Sequence, residues 1–174
     1  MAPTLNRSLA DLGALLHLVD PTLPIGGFNH SNGLETFVQQ GVVSTKPSLE
    51  EYVQIQLLQN WVYNDGAYLS LAFEAMATND FERLCELDHS LSATKIARES
   101  REGSFKLGVR LLKIFIRYEQ HPMLSQFQQA IQNKTAQGYF PIVFAMVAQA
   151  MGLSKADTLY AFYYNAAVGT ITNG

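Results

Sequence analysis

Helical patterns flank one irregular stretch, Asp20-Pro21-Thr22-Leu23-Pro24-Ile25-Gly26-Gly27-Phe28. Its prolines lack backbone N–H donors and disfavour a helical residue before them, and its glycine pair permits dihedral angles that are closed to other residues. Leu23, Ile25 and Phe28 alternate with these helix-breaking residues, whereas a solvated linker would be polar. The stretch therefore predicts a stiff apolar loop that presses into a core or against a partner.

Outside this loop, apolar residues recur at helical spacing, and the sustained period-two alternation of a strand is missing. Ser8 and Asp80 are suited to cap the starts of helices. Asp11, three residues after Ser8, is favourably placed against the positive end of the first helix. Because the connections are short, the pattern predicts an all-α, single-domain bundle of about eight mostly antiparallel helices. The domain spans residues 1–174, with 1–7 flexible. Helices are expected over about residues 8–19, 32–40, 47–76 with a break at 64–66, 80–91, 94–118, 122–131, 139–151 and 154–168.

Spacing within the first two helices predicts which side chains share a face. The short helix after the loop is expected to turn Leu34, Phe37 and Val38 inward and to end at Gly41 in a left-handed conformation. The apolar residues of the first helix form one face, made of Leu9, Leu12, Leu16 and Val19.

Composition narrows the class of protein. The chain has 174 residues, of which 48% are apolar, and this is enough for one domain with a packed core. The formal net charge is −3 and Lys and Arg are scattered, so a nucleic-acid partner is not expected. Cys85 is the one cysteine, which excludes an internal disulfide and fits a reducing compartment.

The sequence also predicts a soluble, cytoplasmic protein with no membrane partner. Its start, Met1-Ala2-Pro3-Thr4, lacks the charged region and apolar core of a signal peptide. The longest apolar window, residues 139–151, contains Pro141 and Gln149 and is shorter than the roughly 20 residues of a membrane-spanning helix.

The loop continues as Asn29-His30-Ser31-Asn32-Gly33-Leu34-Glu35. Residues 22–35 resemble the S-L-P-[IV]-G-[GS]-[FY]-x-[HY]-S-x-G-L-E signature of the UreF family of urease accessory proteins, with Thr22 in place of the first Ser. A match of this length with fixed spacing is far more specific than a lone glycine pair, and the resemblance covers about residues 9–168. The matching positions are Leu23, Pro24, Ile25, Gly26, Gly27, Phe28, Ser31, Gly33, Leu34 and Glu35.

A second informative segment spans residues 97–108. Arg101, Ser104 and Gly108 fall at i, i+3 and i+7 on one helix face, so a guanidinium stands beside two small residues that let another backbone approach. A buried arginine needs acceptors, such as Glu35 or loop carbonyls. With Glu99, these residues resemble the E-x-R-x-x-S-x-x-x-G motif of the same family.

Each motif residue also has a purely local interpretation. Glu35 could close a capping box with Asn32 instead of belonging to a site. Arg101 and Glu99 could belong to a solvated ion-pair face, which contributes little to stability. Gly108 could serve close helix packing or direct contact with a partner, since a glycine within a helix is costly unless something uses the missing side chain.

Metal and catalytic signals are weak. His17, His30, His89 and His121 form no His-x-x-x-His pair. Cys85 and His89 stand at i, i+4 and could chelate a soft metal, although Cys85 also suits a core. Phosphate-binding Gly-x-x-x-x-Gly-Lys and nucleophile Gly-x-Ser-x-Gly motifs are missing, so neither a catalytic residue nor a metal ligand is predicted.

The resemblance implies a function. It implies a non-catalytic scaffold that helps insert nickel into apo-urease, as a homodimer that binds the accessory protein UreH (also called UreD) and recruits and regulates the GTPase UreG. No cofactor is expected to bind stably, although transient nickel contact is compatible with this role. Arg101 could act as an arginine finger on the GTPase or as a structural anchor. The partner-binding or dimer-forming region implied comprises Leu23, Pro24, Ile25, Gly26, Gly27, Phe28, Ser31, Glu35, Glu99, Arg101, Ser104 and Gly108.

Two points count against a simple assignment. After Val168 the family continues with Arg and an apolar-Pro-Leu-Gly-Gln tail, whereas this chain reads Gly169-Thr170-Ile171-Thr172-Asn173-Gly174, so it is interpreted as C-terminally shortened. The rival interpretation is a monomeric helical ligand-binding or regulatory module, with a pocket lined by Tyr and Phe residues of the last two helices. A remoter rival is a metal-dependent enzyme using Cys85 and His89.

Overall fold

The computed structural model describes residues 8–26 and 33–173, the last by its backbone alone. In this part of the chain every regular element is helical, which confirms the all-α prediction. A π-helical segment, Gln56–Trp61, joins α3 to the short turn before α4 and was not predicted from the sequence. The α-helices are α1 Leu9–Leu18, α2 Leu34–Gln39, α3 Lys46–Ile55, α4 Asp65–Ala77, α5 Phe81–Thr94, α6 Arg98–Phe115, α7 Pro122–Gln132, α8 Phe140–Ala150 and α9 Lys155–Asn173.

The centre of the bundle is α8. Its residues from Pro141 to Ala148 are all buried, because the helix is apolar on every side and so must be surrounded by other elements. Its most extensive packing is with α4 and α6, while α9 lies across α4, α8 and α1. This arrangement makes α6 and the chain that leads into α8 neighbours.

A smaller core lies apart from the main one, between α2 and α3. Leu34 is completely buried and packs with Val43 and Tyr52. Phe37 and Val38, which were expected to point inward, are 41% and 45% exposed, so that prediction was wrong. The helix α2 has only six residues, of which Leu34 alone is buried, and Phe37 is covered only in part by the ring of Tyr52.

The first helix shows both the strength and the limit of spacing arguments. The Ser8 Oγ accepts from the Asp11 N–H and the Asp11 carboxylate accepts from the Ser8 N–H, each at 3.1 Å, which confirms the predicted cap. However, Leu15 and Leu18 are the buried residues of α1. Three residues of the predicted face are exposed, Leu9, Leu12 and Leu16, at 88%, 40% and 59%, while the fourth, Val19, is half-buried against the main core.

Two helix boundaries differ from expectation. The helix expected from about residue 94 begins at Arg98, because α5 continues to Thr94 and residues 95–97 form a separate connection. The last helix, expected to end near Val168, continues to Asn173. There Thr170 is buried and its hydroxyl donates to the Ala166 carbonyl at 2.9 Å, which supports the extra turn.

Membrane insertion of the described helices is not supported. Among residues 8–26 and 33–173, every helix is too short or too polar to cross a bilayer.

Candidate functional site

The first motif forms a tight loop wherever the structure describes it. The Asp20 carboxylate accepts hydrogen bonds from the Thr22 hydroxyl and N–H, both at 2.7 Å, and these bonds lower the pKa of Asp20. Leu23 and Ile25 are half-buried against the main core, while Pro24 is exposed. The expected apolar loop is therefore present over residues 20–26. Gly27, Phe28 and Ser31 lie outside the described residues.

Arg110 of α6 attaches this loop to the bundle. Its Nη1 donates to the Ile25 carbonyl at 3.0 Å. Gly26 adopts a φ of 81°, and a Cβ at that position would collide with the same Nη1 atom. The positive φ favours glycine at residue 26, and the missing side chain leaves room for the guanidinium. Sequence reasoning missed Arg110 because it lies 85 residues from Ile25.

Replacing Arg110 with alanine is expected to loosen the loop without unfolding the bundle. The side chain is exposed, so the loss of its single hydrogen bond should cost about 1 kcal/mol or less of unfolding free energy. Hydrogen exchange at the Leu23 and Ile25 amides should accelerate. The matched control is Arg83→Ala, which removes an exposed i,i+3 ion pair on α5. Equal protection of the loop in both variants would contradict this role of Arg110.

The second motif faces the chain that leads into α8. The Phe140 N–H donates to the Ser104 Oγ at 3.2 Å. A Cβ on Gly108 would lie 2.9 Å from the Phe140 nitrogen and the Tyr139 carbonyl carbon, and closer still to the Gly138 carbonyl oxygen. The structure therefore gives Gly108 the close-packing role that a mid-helix glycine suggests.

Asp88 of α5 completes the same junction and was missed as a functional residue. It is completely buried, and its carboxylate accepts from the N–H groups of Gln137, Gly138 and Tyr139 at 2.5, 3.1 and 2.9 Å. Burial raises the pKa of Asp88, while these N–H donors and His89 oppose the rise. The sequence signal was an acidic residue within the buried face of α5, which requires partners.

Arg101 holds the connection between α5 and α6. Its Nη1 donates to the carbonyls of Lys95 and Ile96 at 2.7 and 2.6 Å, so this half-buried arginine uses loop carbonyls as acceptors, as expected. Glu35 is not the acceptor. Within the described residues no salt bridge joins Arg101 to Glu99. The ion-pair interpretation therefore fails for Arg101, whereas the exposed Glu99 acts electrostatically on Arg98, which pairs with Glu102.

Glu35 does not close a capping box. The N-cap residue of α2 is Gly33, at a φ of 89° and without a side-chain cap, so Glu35 is the second residue of the helix and not the third. Its side chain is exposed. Glu35 therefore does not have the capping role considered for it, and its participation in a partner-binding site stays a prediction.

The two motifs meet on opposite sides of one helix. Arg101 and Arg110 are nine residues apart, which is about half a turn beyond two full turns of α-helix. One side of α6 packs against residues 137–140, and the other binds the loop through Arg110. The motifs thus use α6 as a common support, and do not form one cluster of side chains.

The described residues were also compared with the requirements of a metal site. No group of three or more His, Cys, Asp and Glu side chains lies close enough to hold a metal ion in residues 8–26 and 33–173. Cys85 is half-buried, and burial, followed by the nearby Asp88 charge, raises the pKa of its thiol and so disfavours the thiolate that binds metals. His30 lies outside the described residues.

The aromatic residues of α8 and α9 pack on one another. Ring centroids of Phe140, Phe144 and Phe162 lie 5.5–5.9 Å apart in all three pairings. Two surface clefts of about 270 and 300 Å³ lie elsewhere, and neither is lined by a residue of α9. These three rings therefore pack against one another and do not line either cleft.

Comparison with known proteins places this architecture in a family. The UreF family model matches residues 43–174. A urease accessory protein UreF from Haemophilus influenzae is 83% identical over 174 residues, which are all of this chain and 74% of that protein. The UreF of Actinobacillus pleuropneumoniae serotype 5b is 79% identical over 166 residues, covering 95% of this chain and 73% of the relative.

A more distant relative shows the same relationship. The UreF of Bacillus sp. strain TB-90 is 34% identical over 160 residues, covering 92% of this chain and 69% of its own length. High identity over the whole chain, a family model that matches most of it and the helical fold agree with the two motifs. The chain belongs to the UreF family of urease accessory proteins.

Proposed function

We propose that this protein is a non-catalytic scaffold in urease maturation, which recruits and regulates the UreG GTPase so that nickel enters apo-urease. The observation that carries the proposal is 83% identity, over all 174 residues, to a protein named as a urease accessory protein. In physical terms the scaffold would bind one state of the GTPase better than the other, so that nucleotide turnover coincides with metal release. It would act in the cytoplasm.

Polar side chains that bond to the chain's own backbone support a scaffold. Asp88, Ser104 and Arg101 are each bonded to backbone atoms of their own chain, where they fix the junctions around α6. Groups committed in this way hold a shape and are not poised to act on a substrate. Nickel would be the cargo of the assembly, contacted transiently and not held as a resident cofactor.

Exposed apolar side chains support association with other proteins. On α9 a stripe at helical spacing, consisting of Tyr160, Tyr164, Val168 and Ile171, is 36–64% exposed. Surfaces of this kind are typical of protein interfaces. We propose that the protein is a homodimer that binds UreH, through a region that includes residues 23–28 and the exposed Glu35 and Glu99.

The proposal is tested by adding this chain to the H. influenzae urease system from which its own UreF has been removed. We expect urease activity to be restored. We also expect the chain to co-elute with UreH and UreG in a complex whose mass corresponds to two copies of this chain and two of UreH. Light scattering after size exclusion measures that mass, with and without GTP and nickel. The proposal would be overturned if the chain were a monomer that binds neither UreH nor UreG and restores no urease activity.

A further inference from the structure

The exposed side of α6 carries a row of positive charges. Lys106, Arg110 and Lys113 are spaced four and three residues apart, which places them on one side of the helix. Arg117 continues the row in the turn that directly follows α6, and all four residues are exposed. These four residues, termed the basic row, extend over about 16 Å at the rise of an α-helix.

Little negative charge of this chain balances the basic row. Residues 103–153 contain five Lys and Arg residues and one acidic residue, Glu119, although the formal net charge of the whole chain is −3. Lys106 has a long ion pair with Glu102, at 3.8 Å. Lys113 and Arg117 form no salt bridge with any residue that the structure describes. Their charges are therefore available to an anionic group from outside the chain.

Helix stability does not explain a basic row of this length. The helix dipole favours a cation in the last turn of α6, where Lys113 lies, but this effect fades within one turn and does not extend to Lys106 or Arg110. Like charges three or four residues apart on a helix repel each other. The row therefore makes α6 less stable than a mixed pattern of charges would, which points to a use in binding.

Two features of the structure border the basic row. On one side, Arg110 binds the Ile25 carbonyl of the loop that is proposed to contact a partner. On the other side, Lys113 lines the cleft of about 270 Å³ between α6 and α7. The remaining residues that line this cleft are Val109, Leu112, Gln128, Ile131 and Gln132. The loop, the basic row and the cleft thus form one continuous surface.

This surface specifies the chemistry of a partner. A helix lying along it would place carboxylates, three or four residues apart, opposite the cations of the basic row. One apolar side chain of that helix would enter the cleft, where Leu112 and Ile131 offer apolar contacts. The apolar wall favours a protein over a nucleic acid, because a phosphate backbone has no apolar side chain to place there.

The polar character of the surface fits a partner that binds and leaves. Charged contacts raise the rate and specificity of association more than its affinity, whereas permanent interfaces are more apolar. In the proposed function the GTPase UreG is the partner that is released after nucleotide turnover, while UreH belongs to the lasting scaffold. The basic row is therefore better suited to UreG.

We propose that the basic row and the cleft beside it bind an acidic helix of UreG, which places an apolar side chain against Leu112 and Ile131. This inference rests on the proposed function. It assigns the contact with the GTPase to the surface of α6 and α7, next to the first motif.

The test measures the affinity of purified UreG for the complex of this chain with UreH, in the presence of GTP and nickel. We expect Lys113→Glu to weaken the binding of UreG by about 10-fold at low ionic strength, whereas Lys113→Arg should bind like the wild type. Added salt should weaken the wild-type complex more than the Lys113→Glu complex. Gln132→Glu, which adds a negative charge to the cleft without changing the side-chain shape, should also weaken binding.

Cross-linking identifies the group that occupies the surface. A carbodiimide joins a lysine amine to a carboxylate as an amide, with loss of water. We expect Lys106 and Lys113 to be linked to Asp or Glu residues within one helix of UreG, as identified by mass spectrometry of the linked peptides. Links from UreG to other lysines of this chain, with none to these two, would contradict the proposed site.

The matched control is Lys46→Glu on α3, where the side chain is 87% exposed and the net charge changes by the same amount. Melting temperatures show that each variant is folded. If the wild-type complex binds no UreG, the proposed function fails. If UreG binds Lys113→Glu as tightly as Lys46→Glu, the docking site is wrong while the function stands. If Lys113→Glu loses UreH instead, the surface serves another partner and the inference is overturned.

Discussion

Replacing Asp88 with asparagine is expected to lower the free energy of unfolding by about 3 kcal/mol, the cost of leaving buried donors unsatisfied next to a new buried amide. The carboxylate accepts from three consecutive N–H groups at the start of α8. An asparagine keeps one acceptor oxygen and turns an NH₂ group toward these donors. Thermal unfolding should show a melting temperature lower by about 6–12 °C for a chain of this size.

The control for this substitution is Asp80→Asn, at the exposed start of α5. There the Asp80 carboxylate accepts from a single N–H, that of Arg83, at 3.0 Å. Asparagine caps a helix as well as aspartate does. The melting temperature of Asp80→Asn should therefore stay close to that of the wild type. Equal melting temperatures for the Asp88 and Asp80 variants would show that the junction does not depend on the buried carboxylate.

Asp88 also makes a distinct contribution to the pH dependence of stability. Burial raises its pKa in the folded protein above the ordinary value of 3.8, so the folded state retains this proton to higher pH than the unfolded state. The associated stability is fully present below pH 3.8 and is lost as pH rises through the raised pKa. The stability difference between wild type and Asp88→Asn should therefore decrease with rising pH in that window, as measured by denaturant unfolding at several pH values.

Replacing Gly108 with alanine is expected to cost about 3 kcal/mol, the upper part of the range for overpacking a core. The added methyl group would collide with the backbone of Gly138, Tyr139 and Phe140, which cannot rotate away as a side chain could. This outweighs the gain of roughly 1 kcal/mol that alanine offers in a helix. Thermal unfolding, with hydrogen exchange at residues 137–140, measures both the loss and its location.

Gly13 provides the matched control for this second substitution. It lies within α1, and nothing stands within 4 Å of the position that a Cβ would occupy. Gly13→Ala should therefore stabilise the protein by roughly 0.5–1 kcal/mol. If both alanine variants were stabilised, α6 would not pack closely on the chain entering α8.

The features that could be predicted from the sequence are those that depend on neighbouring residues. The capping of α1 by Ser8, the start of α5 at Asp80 and the end of α2 at Gly41 were all expected and are all present. Each depends on contacts within one or two turns of the chain. The same holds for the close packing suggested for Gly108, since a mid-helix glycine is costly wherever it occurs.

The features that could not be predicted depend on residues far apart in the chain. The break between α5 and α6 is supported by the ion pair of Lys95 with Asp65, 30 residues away. Asp88 meets its donors 49 to 51 residues later, and Arg110 meets the Ile25 carbonyl across 85 residues. Spacing along one helix contains no information about such partners.

By itself the sequence determined the family, through two motifs with fixed internal spacing, and the all-α fold, through local periodicity and capping. Only the tertiary structure decided which side of α1 is buried, that Arg101 serves the segment carrying Ile96, and that Asp88 and Gly108 hold the start of α8 from two helices. The physical reason is that periodicity records the geometry of a single helix, whereas burial and hydrogen-bond partners are set by which helices the folded chain brings together.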